Sequence, residues 1–181
     1  MADLAALFMD LFYRNCSGMA FLVVNRYLKC TDDFEGLPLL PLYGALQAIK
    51  RSVGHCLACL EANNQQICER ENKKARLYAE LALLFLRETP QQRIIAFGGF
   101  SGAGKTTLAR PVAQHVGAIH IRADAVRKHL WGVPISEKAP PEAYSDTHQE
   151  KTYKGLQTRA HVALEAGFNV VVDGVFASES Q

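Results

Sequence analysis

Apolar residues recur at threes and fours through the first half of the chain, and the period then changes. Leu4, Leu7, Phe8, Leu11 and Phe12 follow the i, i+3, i+4, i+7, i+8 order of an amphipathic helix over residues 3–14. Ser17 and Gly18 break it, and a second helix is expected from Met19 to Leu28. The turn residues from Thr31 to Pro38 predict a loop. A third helix carries Leu42, Leu46, Ile49, Val53, Leu57 and Leu60 as one stripe. After a soft break at Asn63–Gln65, a fourth helix is expected from Gln66 to Arg87. It is highly charged from Glu69 to Lys74 and apolar toward Leu81, Leu84 and Phe85. Pro90 closes the region. Residues 1–90 thus read as an all-helical segment without a catalytic constellation, and Arg70, Glu71, Lys73 and Lys74 read as a solvated face.

Beyond Gln91 and Gln92 short apolar runs alternate with helical patterns, which predicts a parallel α/β sheet over residues 91–181. Strands are expected at 93–98, Ala118–Ile121 and Asn169–Val172, the last ending at Asp173. A helix from Lys105 to His115 contains Pro111, which removes a backbone donor and predicts a kink. A short helix over Ala125–Leu130 and a Pro-rich loop over Trp131–Pro141 follow. Thr147 with Glu150 has the spacing of a capping box that opens a long helix to Ala166, stopped by Gly167.

Candidate chemistry concentrates at the strand ends. Gly99, Gly104, Lys105 and Thr106 fill the pattern G-x-x-x-x-G-K-[ST] between a strand and a helix. Glycines there let successive N–H groups turn inward on a phosphate, at a helix N-terminus that itself favours anions. Gly99, Ser101, Gly102, Ala103, Gly104, Lys105, Thr106 and Thr107 are therefore the expected nucleotide-binding residues. Lys105 would reach the β- and γ-phosphates, and Thr106 would ligate Mg²⁺. Asp173, after three valines at the carboxyl end of a strand, fits an acidic residue on the metal side. Asp124, after the second strand, is the candidate base and also an expected N-cap for the 125–130 helix; Arg122 and Arg127 are candidate anion grips. His120, His129, His148 and His161 form no pair with ligand spacing and read as incidental.

Composition narrows the function classes. The 181 residues carry a net charge of +2 with 49% apolar and 21% charged residues, an ordinary globular balance without a nucleic-acid signal. No apolar run approaches the ~20 residues of a membrane span. The Met-Ala-Asp start has no secretory leader, so a reducing, cytoplasmic setting is expected. Five cysteines argue against a disulfide framework. A zinc or redox reading of His55, Cys56, Cys59 and Cys68 stays open, but helical spacing and the missing second C-x-x-C favour small buried thiols.

Three segments resemble bacterial P-loop kinases related to zeta toxins and polynucleotide kinases. They are GGFSGAGKTTLA, the run Ile121–Lys128, and the strand Gly167–Asp173. That resemblance implies ATP as nucleotide, Asp124 on the substrate side and Asp173 on the Mg²⁺ side. Asp3–Leu11, Asn25–Leu28 and Gly36–Tyr43 resemble the C-terminal helices of an aminoglycoside-phosphotransferase-like lobe, which in a bacterial two-part family precedes such a kinase domain. That lobe's own catalytic segment has no counterpart here, so aminoglycoside phosphorylation is not expected. The kinases resembled have a five-stranded sheet in the order 2-3-1-4-5 and a lid. Only three strands are visible here, which implies a truncated domain whose phosphate-loop strand lies at an open edge. A further segment or an oligomer would cover that edge. The expected function is phosphoryl transfer from ATP–Mg²⁺ to the hydroxyl of an unidentified small molecule. A nucleotide-binding module or truncated remnant without turnover is the alternative.

Overall fold

Small residues decide how the helical segment packs. In the computed structural model, which describes residues 1–87 and 91–176, helices α1 (Ala2–Tyr13), α2 (Ser17–Thr31), α3 (Leu39–Leu60) and α4 (Gln65–Leu86) follow one another. Helices α3 and α4 form a hairpin with α1 laid across α3. The face of α3 that is buried is Leu40, Gly44, Ala45 and Ala48. Gly44 eases that approach, because a Cβ there would lie 3.1 Å from the Phe85 ring, which would have to shift by a few tenths of an ångström. The leucine stripe that marks this helix points the other way: Leu42, Leu46, Ile49, Val53, Leu57 and Leu60 are exposed, from 42% at Leu46 to 82% at Leu60.

Two further expectations change in the hairpin. Glu71 is not on a solvated face. It is buried and accepts hydrogen bonds from Lys74 Nζ (2.9 Å), His55 Nδ1 (2.6 Å) and Arg70 Nε (3.1 Å). Cys59 and Cys68 are joined as a disulfide, because the reversal between α3 and α4 sets the two sulfurs face to face. Cys16, Cys30 and Cys56 are exposed thiols, not buried ones.

The second half is a three-stranded parallel sheet: β1 (Ile94–Phe97), β2 (Ala118–Arg122) and β3 (Asn169–Asp173), in the spatial order β1-β3-β2. Helix α5 (Lys105–Val116) covers one face, with Ala109 and Ala113 against Ala118 and Val171. Ile119, Ile121, Val170 and Val172 fill the other face, beneath α6 (Ala123–Leu130) and α7 (Asp146–Glu165). Pro111 sits inside α5 without ending it. A 3₁₀ turn at Pro141–Tyr144 leads into α7, which starts at Asp146 after Ser145. The expected Thr147 capping box does not form, because Thr147 already lies within the helix. Strand β1 pairs only with β3, so among the described residues its other edge is open, and Ile94 is exposed there.

The two halves share one core. Phe8, Phe21, Val24 and Leu28 of the helical segment pack in the same cluster as Ile119, Ile121 and Val170 of the sheet. Phe21 meets Phe168 edge-on at 6.2 Å. At the free edge of β2, Asn25 of α2 acts as a substitute strand. Its Nδ2 donates to Ala118 O (3.0 Å), and its Oδ1 accepts from His120 N (2.8 Å). Arg159 of α7 is paired through two nitrogens with Asp32, the left-handed residue that closes α2. Pro90, expected to close the helical region, and residues 177–181 lie outside the described residues.

Candidate functional site

The register places all three strand ends at one level: Asp173 of β3 is opposite Phe97 of β1 and Arg122 of β2. In open parallel sheets this carboxyl edge is where ligands bind. The loop from β1 to α5 needs its glycines, since Gly99, Gly102 and Gly104 have φ of 138°, 83° and 80°, values that side-chain-bearing residues rarely adopt. A Cβ at Gly102 or Gly104 would meet nothing within 4 Å, so the space in front of the loop is clear. Gly104 caps α5, and Lys105 Nζ folds back to donate to Phe100 O at 2.6 Å. The loop is also tied down from behind. Gly174 N donates to Phe97 O (3.2 Å) and Gly99 N to Val175 O (3.3 Å). The Tyr153 hydroxyl of α7 accepts from both Val175 N (3.1 Å) and Phe176 N (3.0 Å).

Asp173 is the buried acid of the site. Its Oδ2 accepts from the Thr106 hydroxyl at 2.9 Å and from His120 Nε2 at 2.9 Å, with Arg122 Nε 3.7 Å away. Burial pushes its carboxyl pKa up, but the hydrogen bonds from His120 and Thr106 and the Arg122 charge outweigh it and hold the group below the usual carboxylate range. His120 is therefore not incidental. It sits two residues before Arg122, on the same side of β2 as Asp173. Strand alternation, with the β2–β3 register in hand, is the signal that finds it.

Opposite the loop, a cavity of about 580 Å³ is bounded by Lys105, Thr106, Arg122, Asp124, Arg127 and Asp173. Asp124 does not cap a helix, because α6 begins at Ala123 with Arg122 as its flanking residue. Asp124 instead pairs with Lys128 Nζ at 3.2 Å and lies 3.9 Å from Arg122 Nη2. The Arg127 guanidinium stacks 4.5 Å over the Tyr144 ring. The Nε atoms of Arg122 and Arg127 are buried with no hydrogen-bond partner among the described residues. Buried donors left open in this way need an acceptor, and the cavity beside them is where one would come from. Tyr144 and Tyr153 belong to no motif, and sequence reasoning missed both.

The donor set near Asp173 fits Mg²⁺. A hydroxyl and a carboxylate 2.9 Å apart are hard oxygen ligands that leave room for water and phosphate oxygens. No cluster of three or more His, Cys, Asp or Glu suited to a metal occurs among the described residues. Cys59 and Cys68 are joined to each other, and Cys56 is an exposed thiol. Among the described residues no helix is long and apolar enough to cross a membrane.

An uncharacterized protein of Mycobacterium bovis and two of Mycobacterium tuberculosis are each 28% identical to this chain over 178 residues. The alignment takes in 96% of this chain, both halves in one run, but only 34% of each relative. The chain thus spans about a third of the length of the curated relatives it matches. No solved structure matches it. Residues 94–181 match the family model of an AAA domain. With the parallel sheet and the glycine loop at its carboxyl edge, that stretch has an α/β fold of the P-loop NTPase-like kind.

Proposed function

We infer that the chain binds ATP with Mg²⁺ at the phosphate loop and transfers the γ-phosphoryl group to a hydroxyl of a small molecule. One observation carries this reading: a single cavity joins the loop and the Thr106–Asp173 pair to Asp124, Arg122 and Arg127. Lys105 exchanges its bond to Phe100 O for the β- and γ-phosphates, and the loop amides hold the remaining oxygens. Thr106 and Asp173 hold the metal, and His120 keeps the Asp173 carboxylate oriented. When bound, Mg²⁺ supplies charge neutralisation at the transferring group. Arg122 and Arg127 take the acceptor's polar groups on their open Nε donors, and Asp124 receives the hydroxyl proton. The helical segment that resembles a phosphotransferase lobe serves as scaffold in this reading, with no reaction of its own.

A second reading, nucleotide binding without turnover, is favoured by Asp124 itself. That carboxylate is 39% exposed and already paired with Lys128, so it is not free to face an acceptor hydroxyl. Calorimetry and a phosphate-transfer assay separate the two. Lys105→Ala is expected to weaken ATP–Mg²⁺ binding by about 10-fold or more, the worth of one charge-assisted hydrogen bond. Full affinity in that variant would sink both readings. ATP binding with no phosphate transferred to any hydroxyl compound would leave the second.

A further inference from the structure

Behind the phosphate-loop cavity, at the seam between the halves, lies a separate cavity of about 150 Å³ walled by α2, α5, β2 and α6. Its floor is apolar and fully packed, formed by Leu28, Ile121 and Val126. Its walls are cationic: Arg26 and Lys29 come from α2, Arg110 from α5 and Arg122 from β2. The single acidic residue that lines it, Asp32, has both oxygens taken by Arg159. Among the described residues Arg26, Lys29 and Arg110 have no carboxylate partner. Arg122 leaves a buried Nε without a hydrogen bond.

Like charges around one small space repel, and a fold brings them together at a cost unless an anion joins them. The crowding registers on Lys29, whose ammonium pKa is lowered by burial and then by Arg122, Arg26 and Arg110. We propose that the seam cavity is an anion site for a small phosphate-bearing molecule, its phosphate or diphosphate among Arg26, Lys29, Arg110 and Arg122 and its carbon body on the apolar floor. Arg122 also lines the phosphate-loop cavity, so an anion at the seam competes for a guanidinium that the other site uses. By linkage, occupancy of either site then alters affinity at the other.

The test uses the full chain and inorganic pyrophosphate without Mg²⁺. Titration by calorimetry is run on the Lys105→Ala variant, which weakens the phosphate loop, and on the same variant carrying Lys29→Gln and Arg110→Gln. The expected result is that Lys105→Ala still binds one pyrophosphate, and that the added changes weaken it by about 10-fold or more, as the loss of two charged contacts implies. Binding should also fall steeply as salt is raised. Lys29→Gln relieves repulsion and is expected to leave the melting temperature level or higher; were the double change to unfold the chain, Arg26→Gln on the exposed rim gives the same readout. Loss of all pyrophosphate binding in Lys105→Ala, or a change under about 2-fold on removing the seam cations, overturns the proposal. ATP binding in the parent chain is scored separately, so this site and the phosphate loop can fail independently.

Discussion

Replacing Asn25 by alanine removes the one side chain that completes the β2 edge. Two backbone groups lose their partners at once, the N–H of partly buried His120 and the carbonyl of fully buried Ala118. A buried backbone group left unpaired costs about 1–3 kcal/mol, and water entering the space the amide leaves puts each of these at the low end, about 2 kcal/mol together. For a chain of this length that loss lowers the melting temperature by about 4–8 °C. Urea unfolding followed by circular dichroism measures it, and an unchanged m-value with a lower midpoint would locate the effect in stability. Asn25→Leu, nearly the same size, should lose about as much as alanine, since the hydrogen bonds and not the volume are at stake. If both variants unfold within about 0.5 kcal/mol of the parent, within the range of ordinary surface substitutions, water satisfies the β2 edge equally well and α2 is not its substitute strand.

Three other outcomes follow from the same structure. Lys74, His55 and Arg70 hold the Glu71 carboxyl at about 2, so the folded state binds fewer protons there than the unfolded chain. Its stabilising share is full above the ordinary glutamate value of ~4.3 and is lost as pH falls toward 2; Glu71→Gln should flatten the fall in urea midpoint across that window, and an unchanged slope refutes the assignment. Tyr153→Phe strips the acceptor from Val175 N and Phe176 N, so amide exchange should quicken at both positions and ATP affinity should drop by about 3–10-fold, or one neutral hydrogen bond. Leu46→Gln and Val53→Gln replace side chains that are 42% and 51% exposed, so the melting temperature should move by no more than about 2 °C; a larger fall means these positions are covered in the protein in solution.

Much of this was open to the sequence because it depends on local chemistry. The glycine loop, the strand before it and the Asp173 strand end each follow from residue type and spacing alone, and the open edge of β1 followed from the family resemblance. What escaped depends on the third dimension. The α3 stripe gave the helix but is not the face it buries, since the smallest residues, Gly44, Ala45 and Ala48, permit the closest approach to α1 and α4. Residue type and spacing assign no partner to Asn25 or His120. Their roles exist only once α2 lies along β2 and β2 is in register with β3. Glu71 looked solvated because its partners are spread over two helices: His55 lies on α3, while Arg70 and Lys74 share α4 with it.

That outward face of α3 has a thermodynamic consequence of its own. Six apolar side chains in a row keep much of their surface in water, at about 25 cal/mol for every square ångström so held. Any surface that covers the row, whatever its source, binds the folded state and not the unfolded one, and so adds to stability by mass action. A partner that fitted α3 would therefore raise the melting temperature in proportion to the logarithm of its concentration.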